Sequence, residues 1–170
     1  MRKQIAYPTF NARLFSTTID MVLLALISLP IVRVVGRYLI YAKSKPYMMS
    51  HGINMQDESA VVAALNSQEF RQVFMTEHGA SFYTTTGLIQ LFIIGFYFVF
   101  CWRKYSATPG KYICGMRVVD SGTLERPTIL QAVRRLISCA LFIVGIWFII
   151  FTSRKQALHD KVAGTVVIKR

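Results

Sequence analysis

Apolar positions along this chain fall into long blocks rather than into strand alternation or the one-sided stripe of a surface helix. From Leu14 to Val32 it reads LFSTTIDMVLLALISLPIV, about the twenty mostly apolar residues that a spanning helix needs, and the block runs on to Tyr41. A second block, Thr84 to Trp102, reads TTTGLIQLFIIGFYFVFCW, and ends in Tyr97, Trp102 and Tyr105 beside Arg103 and Lys104, as at a membrane interface. A third, Leu136 to Phe151, is short for a span and has basic pairs at both ends. This pattern predicts an all-α membrane protein with two full transmembrane helices, a re-entrant or third membrane helix, and short cytoplasmic β segments.

The connecting segments complete one domain over 1–170. Residues 1–13 form a basic arm, 14–41 membrane helix 1 with a bend at Pro30, and 42–85 an extracytoplasmic loop. In that loop Asp57 and Glu58 open an amphipathic helix, with a break expected at Asn66 and Ser67, that ends at Gly79. Membrane helix 2 takes 86–102. In 103–128 a turn at Thr108–Lys111 precedes a strand ending at Asp120, and Thr128 with Gln131 fits a capping box. The third membrane helix or re-entrant hairpin covers 129–152, and the cytoplasmic tail 153–170 holds a second β-branched strand, TVVI. The two strands can pair if they share a side of the membrane.

Charge decides between the topologies. If Leu136–Phe151 crosses fully, the 20 basic residues divide evenly between the two faces. If it turns back near Gly145, the tail joins the arm and 103–135, and fifteen oppose five. The positive-inside rule favours the second arrangement, with a cytoplasmic amino terminus in a bacterial inner membrane. Asp20, the missing small-residue cleavage site, and Arg33 and Arg37 after the first block favour a retained anchor over a cleaved signal peptide.

Composition narrows the function classes. With 54% hydrophobic residues and a net charge of +12, the basic residues lie beside apolar segments and not on a soluble face with interleaved aromatics, so bilayer lipid explains them and nucleic acid does not. Cys101, Cys114 and Cys139 are odd in number and without metal spacing. No nucleophile elbow, metal-binding histidine pair or phosphate loop is present, so neither an enzyme nor a metal or other cofactor is expected.

The candidate chemistry begins at Asp20. A carboxylate in a spanning helix must face protein, water or a cation. Arg13 lies seven residues earlier, on the same helical face, with Thr17 between them. Lys111, Arg134 and Arg135 are expected on the cytoplasmic surface, as a lipid-headgroup site or a solvated basic rim.

Three motifs in order carry a family resemblance: Phe10, Arg13 and Asp20; then Thr108, Gly110, Lys111, Gly115, Arg117, Val118 and Val119; then His159, Asp160, Gly164, Thr165 and Val167. Together they resemble the RDD family of small bacterial membrane proteins, whose name refers to one arginine and two aspartates, here Arg13, Asp20 and Asp160. The resemblance implies a membrane protein for which transport has been suggested. Arg13 is then expected to bridge Asp20 and Asp160. Two roles stay open: transport of a small solute, cation or proton through this polar cluster, or a membrane scaffold or accessory subunit in which the cluster is a clamp and 42–85 docks a partner. Both are compatible with a homo-oligomer or a membrane partner subunit.

Overall fold

The structure is a computed structural model and describes residues 5–139 and 155–170. In chain order the elements are α1 (Phe10–Ser50), α2 (Glu58–Asn66), α3 (Gln68–Tyr105), α4 (Pro109–Ile113), β1 (Met116–Asp120), α5 (Ile129–Ser138), α6 (Leu158–Val162) and β2 (Thr165–Lys169). Both α1 and α3 are long and apolar enough to cross a membrane. Only 22% and 11% of their most apolar windows are buried, so these helices present apolar surface outward, unlike the core helices of a soluble protein.

The loop expected over 42–85 is helical for most of its length. α1 continues through Pro30 and Pro46 to Ser50, and α3 begins at Gln68, well before the second apolar block. Polar residues in these extensions satisfy their hydroxyls on their own helix: Ser44 donates to Tyr41 O at 2.8 Å, and Thr84 and Thr85 donate to the carbonyls four residues back, each at 2.8 Å. Gly79 lies inside α3, since one helical glycine costs only about 1 kcal/mol.

Residues 27–92 form one compact unit. Met48, Val61, Phe70 and Phe74 are its buried apolar centre, and the Tyr47 ring meets Phe70 edge-on with centroids 5.1 Å apart. The expected helix opened by Asp57 is α2: Asp57 is its N-cap, accepting from the amides of Ser59 and Ala60, and the break comes at Ser67. Gln90, the strongly polar side chain of the second block, donates to Ser28 Oγ at 3.0 Å.

The second unit combines residues 5–26 with 93–139 and 155–170. The two expected strands do pair, antiparallel, with Met116 opposite Lys169 and Asp120 opposite Thr165. Gly115 and Gly164 precede them at φ of 64° and 65°, a left-handed conformation that glycine adopts without a Cβ penalty. One face of the sheet buries Met116, Val118 and Val167 with Trp102 and Ala132; the other buries Val119, Val166 and Ile168 against Tyr7. Thr128 and Gln131 make the expected capping box at the start of α5. α5 buries Ala132, Arg135 and Ser138 and leaves Ile129, Leu130 and Ile137 exposed. The third apolar block enters α5 as far as Ser138 and is described to Cys139; its remainder from 140 on, and with it the choice between a span and a hairpin, lies outside the described residues.

Candidate functional site

The second unit gathers five charged side chains that are nearly or fully buried: Arg13, Asp20, Lys111, Arg135 and Asp160. They form two neighbouring nests, each built on one carboxylate.

Asp20 projects from α1 and is fully buried. Its Oδ1 accepts from the Gly110 amide at 2.8 Å and from the Tyr97 hydroxyl at 3.0 Å, while Oδ2 accepts from Thr108 Oγ1 at 2.5 Å. Lys111 Nζ stands 3.7 Å from Oδ2. The donors come from α3 and from the start of α4, where a turn was expected and a short helix is found. Thr108 is the N-cap position and Pro109 opens the helix with its fixed φ, but Thr108 spends its hydroxyl on Asp20 and caps nothing of its own. Gly110 is obligatory for contact reasons: a Cβ there would lie 2.1 Å from the Ser16 carbonyl oxygen and 3.0 Å from Asp20.

Asp160 lies in α6 and is also fully buried. Arg13 Nη1 donates to its Oδ2 at 2.6 Å, and the Ala157 amide donates to the same oxygen at 3.1 Å. Arg135 Nη2 sits 2.5 Å from Oδ1 as an ion contact without hydrogen-bond alignment. Arg135 also donates from Nη1 to Thr165 Oγ1 at 2.7 Å and lies 5.0 Å over the Trp102 ring. One carboxylate thus ties α1, α5 and α6 together, and through Thr165 it reaches β2.

The electrostatics follow from burial. For Asp160, burial alone would raise the carboxyl pKa; Arg135 and then Arg13 outweigh it and hold the group well below its usual range. Burial pushes His159 down to about 4, with repulsion from Arg135 adding to the effect, so its imidazole is neutral at pH 7. Burial also lowers Lys111, against the attraction of Asp20.

The structure brings Arg13, Asp20 and Asp160 into one region but assigns partners differently from the sequence expectation. Arg13 pairs with Asp160, while the cation beside Asp20 is Lys111. Thr17 donates to the Arg13 carbonyl oxygen at 2.9 Å, satisfying its hydroxyl on its own helix. Lys111 and Arg135, expected on a basic surface, are only 8% and 2% exposed because each faces a buried acid; Arg134 is exposed as expected. Sequence reasoning does not mark Tyr97, Thr108 and Gly110 as site residues, although Thr108 and Gly110 stand in the central motif. Their link to Asp20 spans 77 to 90 positions and has no local signature.

Comparisons with known proteins agree with the motifs. The family model for the RDD family matches residues 7–164. A Rickettsia prowazekii (strain Madrid E) protein described as uncharacterized protein RP437 is 37% identical over 172 residues, 99% of this chain and 99% of its own length. Protein FAM8A1 of Homo sapiens is 31% identical over 101 residues, which are 49% of this chain and 24% of that protein. No solved structure matches.

Proposed function

The chain belongs to the RDD family, and we propose that it acts as an integral membrane scaffold or accessory subunit, not an enzyme, in which the two aspartates are structural locks. The observation that carries this reading is the saturation of Asp20. Its two oxygens take three hydrogen bonds and face one ammonium group, so a solute ion would have to displace donors from α3 and α4. A buried carboxylate held this way stabilises one arrangement of elements.

In this reading α1 and α3 cross the bilayer of a bacterial inner membrane with the amino terminus cytoplasmic. The pairing of β1 with β2 supports a same-side location for 103–135 and the tail, and therefore a third apolar block that returns to the face it left. The outward apolar surface of α1 and α3, with Leu26 and Phe92 68% and 73% exposed, is met by lipid and by a second copy or a membrane partner subunit.

Transport of a small solute, cation or proton is the competing role. Its motivation is the location of Asp20 inside the apolar window of α1, where a charge is costly unless it is used. The deciding experiment measures sodium and proton flux in proteoliposomes for wild type and Asp20→Asn, with thermal unfolding in detergent for both. The scaffold reading expects no gradient-driven flux from wild type and a strongly destabilised variant. Flux from wild type that disappears in a variant of normal stability would establish a coupling acid and reject the lock.

A further inference from the structure

A cavity of about 340 Å³ opens between the α3–α4 connection and β1, apart from both carboxylate nests. Its size is at the lower end for small-ligand pockets. Three exposed arginines converge on it from separate parts of the chain: Arg117 from β1, Arg126 from the segment before α5, and Arg170 after β2. Among the described residues Glu125 is the one acid on its wall. Arg170 is held over the Tyr112 ring at 4.4 Å, and its amide donates to the Gly115 carbonyl at 2.7 Å, which fixes that side of the opening.

Two wall residues, Ser106 and Leu124, have φ of 56° and 61° without being glycine. Such conformations cost free energy and persist where surrounding structure enforces them. Here the Val118 amide donates to the Ser106 carbonyl at 2.5 Å, and the Asp120 amide donates to the Glu125 carbonyl at 2.9 Å, fixing both sides of the cavity to β1.

The surroundings indicate the source of a ligand. A second depression shares Glu125 and Arg126 and adds Arg103 with Ile129 and Leu130, which are 61% and 58% exposed. Arg103 lies in the last turn of the apolar helix α3, so, resting on the membrane reading proposed above, guanidinium groups and apolar side chains meet at the depth where a bilayer changes from acyl chain to headgroup. Guanidinium matches phosphate oxygens bidentately and retains its charge at every physiological pH.

The geometry points to this cavity as a binding site for the phosphate headgroup of an anionic phospholipid, with Arg117, Arg126 and Arg170 as its ligands and the Ile129–Leu130 surface against the acyl chains. The site differs from the lipid-headgroup residues expected from sequence, of which Lys111 and Arg135 are committed to buried acids.

The test uses the full chain in detergent, titrated with dioctanoyl phosphatidylglycerol, dioctanoyl phosphatidylcholine or inorganic phosphate while thermal unfolding is followed. Wild type is expected to be stabilised saturably by phosphatidylglycerol at concentrations where the other two do little. A basic residue near an anionic surface contributes on the order of fivefold in affinity. The Arg117→Gln/Arg126→Gln variant should therefore need about 25-fold more lipid, and Arg126→Gln alone about fivefold more. Both substitutions are at exposed positions, and the lipid-free unfolding midpoint checks that each variant is folded. Arg33→Gln/Arg37→Gln removes the same charge outside the cavity and should titrate as wild type does. Equal loss in that control, unchanged titration of the cavity variants, or equal stabilisation by phosphatidylcholine or by inorganic phosphate would each overturn the site.

Discussion

Replacing Asp160 with Asn tests the lock most directly, because it removes one charge and little volume. In the wild type the carboxylate faces two guanidinium groups, at 2.6 and 2.5 Å, and is itself fully buried. Removing one member of a buried ion pair costs about 3–5 kcal/mol, because the remaining charge stays desolvated without its counterion. Here two guanidinium groups would remain, so the upper part of that range is expected. For a chain of 170 residues each kcal/mol lowers the unfolding midpoint by about 2–4 °C, which gives a fall of roughly 8–20 °C. The assay is thermal unfolding in detergent micelles, with Glu77→Gln, an exposed acid in the other unit, as the charge control and an expected change within about 0.5 kcal/mol. Adding Arg13→Gln to Asp160→Asn should cost much less than the two single changes summed, with a coupling of about 0.5–3 kcal/mol. A wild-type midpoint for Asp160→Asn, or strict additivity in the double variant, would refute the lock.

Acid should weaken the same region. His159 has a folded pKa near 4 against 6.5 unfolded, so its neutral form adds stability that is complete above pH 6.5 and is lost as pH falls toward 4, about 3 kcal/mol in all. His159→Gln should flatten that part of the pH–stability curve, and an unchanged curve would reject the assignment. Asp160 acts in the same sense further down: its depressed pKa means a contribution present above the usual carboxylate range and lost below it. Gly110→Ala should cost about 1–3 kcal/mol or more by forcing the chain away from the Ser16 carbonyl, read as a lowered unfolding midpoint; wild-type stability would mean that the α1–α4 contact is looser than described. In cells expressing variants with the three native cysteines replaced, Gln72→Cys should react with an impermeant maleimide from outside and Lys161→Cys only after lysis. Reaction of both in intact cells would reject the proposed topology.

Much of the fold was legible because its signals are local. A run of about twenty apolar residues, a β-branched strand such as MRVVD, and Thr128 followed three residues later by Gln131 each specify their own geometry, and α1, α3, β1 and the α5 cap are found where they indicated. The extent of α1 and α3 was less legible: serine and threonine mark an aqueous segment by composition, yet in a helix they satisfy themselves on the preceding turn. The site was legible in membership more than in wiring. Asp20 stands out as a charge in an apolar run, but helical periodicity indicates only which face it occupies and not which element closes on that face. Its actual donors lie 77 to 90 positions away, and Arg13, on its own helix, reaches 147 positions to Asp160. Lys111 and Arg135 read as surface residues in the sequence for the same reason, since a basic residue is buried only where the fold supplies an acid.

Two independent kinds of force favour the tail location proposed above. Counting basic residues favours a tail on the same face as 103–135 through the electrostatics of insertion. In the topology proposed above, the β1–β2 ladder favours the same location through backbone hydrogen bonding, because strands on opposite faces of a bilayer cannot pair. The Arg135–Asp160 contact adds a third constraint, drawing α6 to α5 from the far side of the third apolar block. The proposed return of the tail to that face is what the sheet and the buried ion pair support, so the labelling of Lys161→Cys and the stability of Asp160→Asn test one arrangement from two directions.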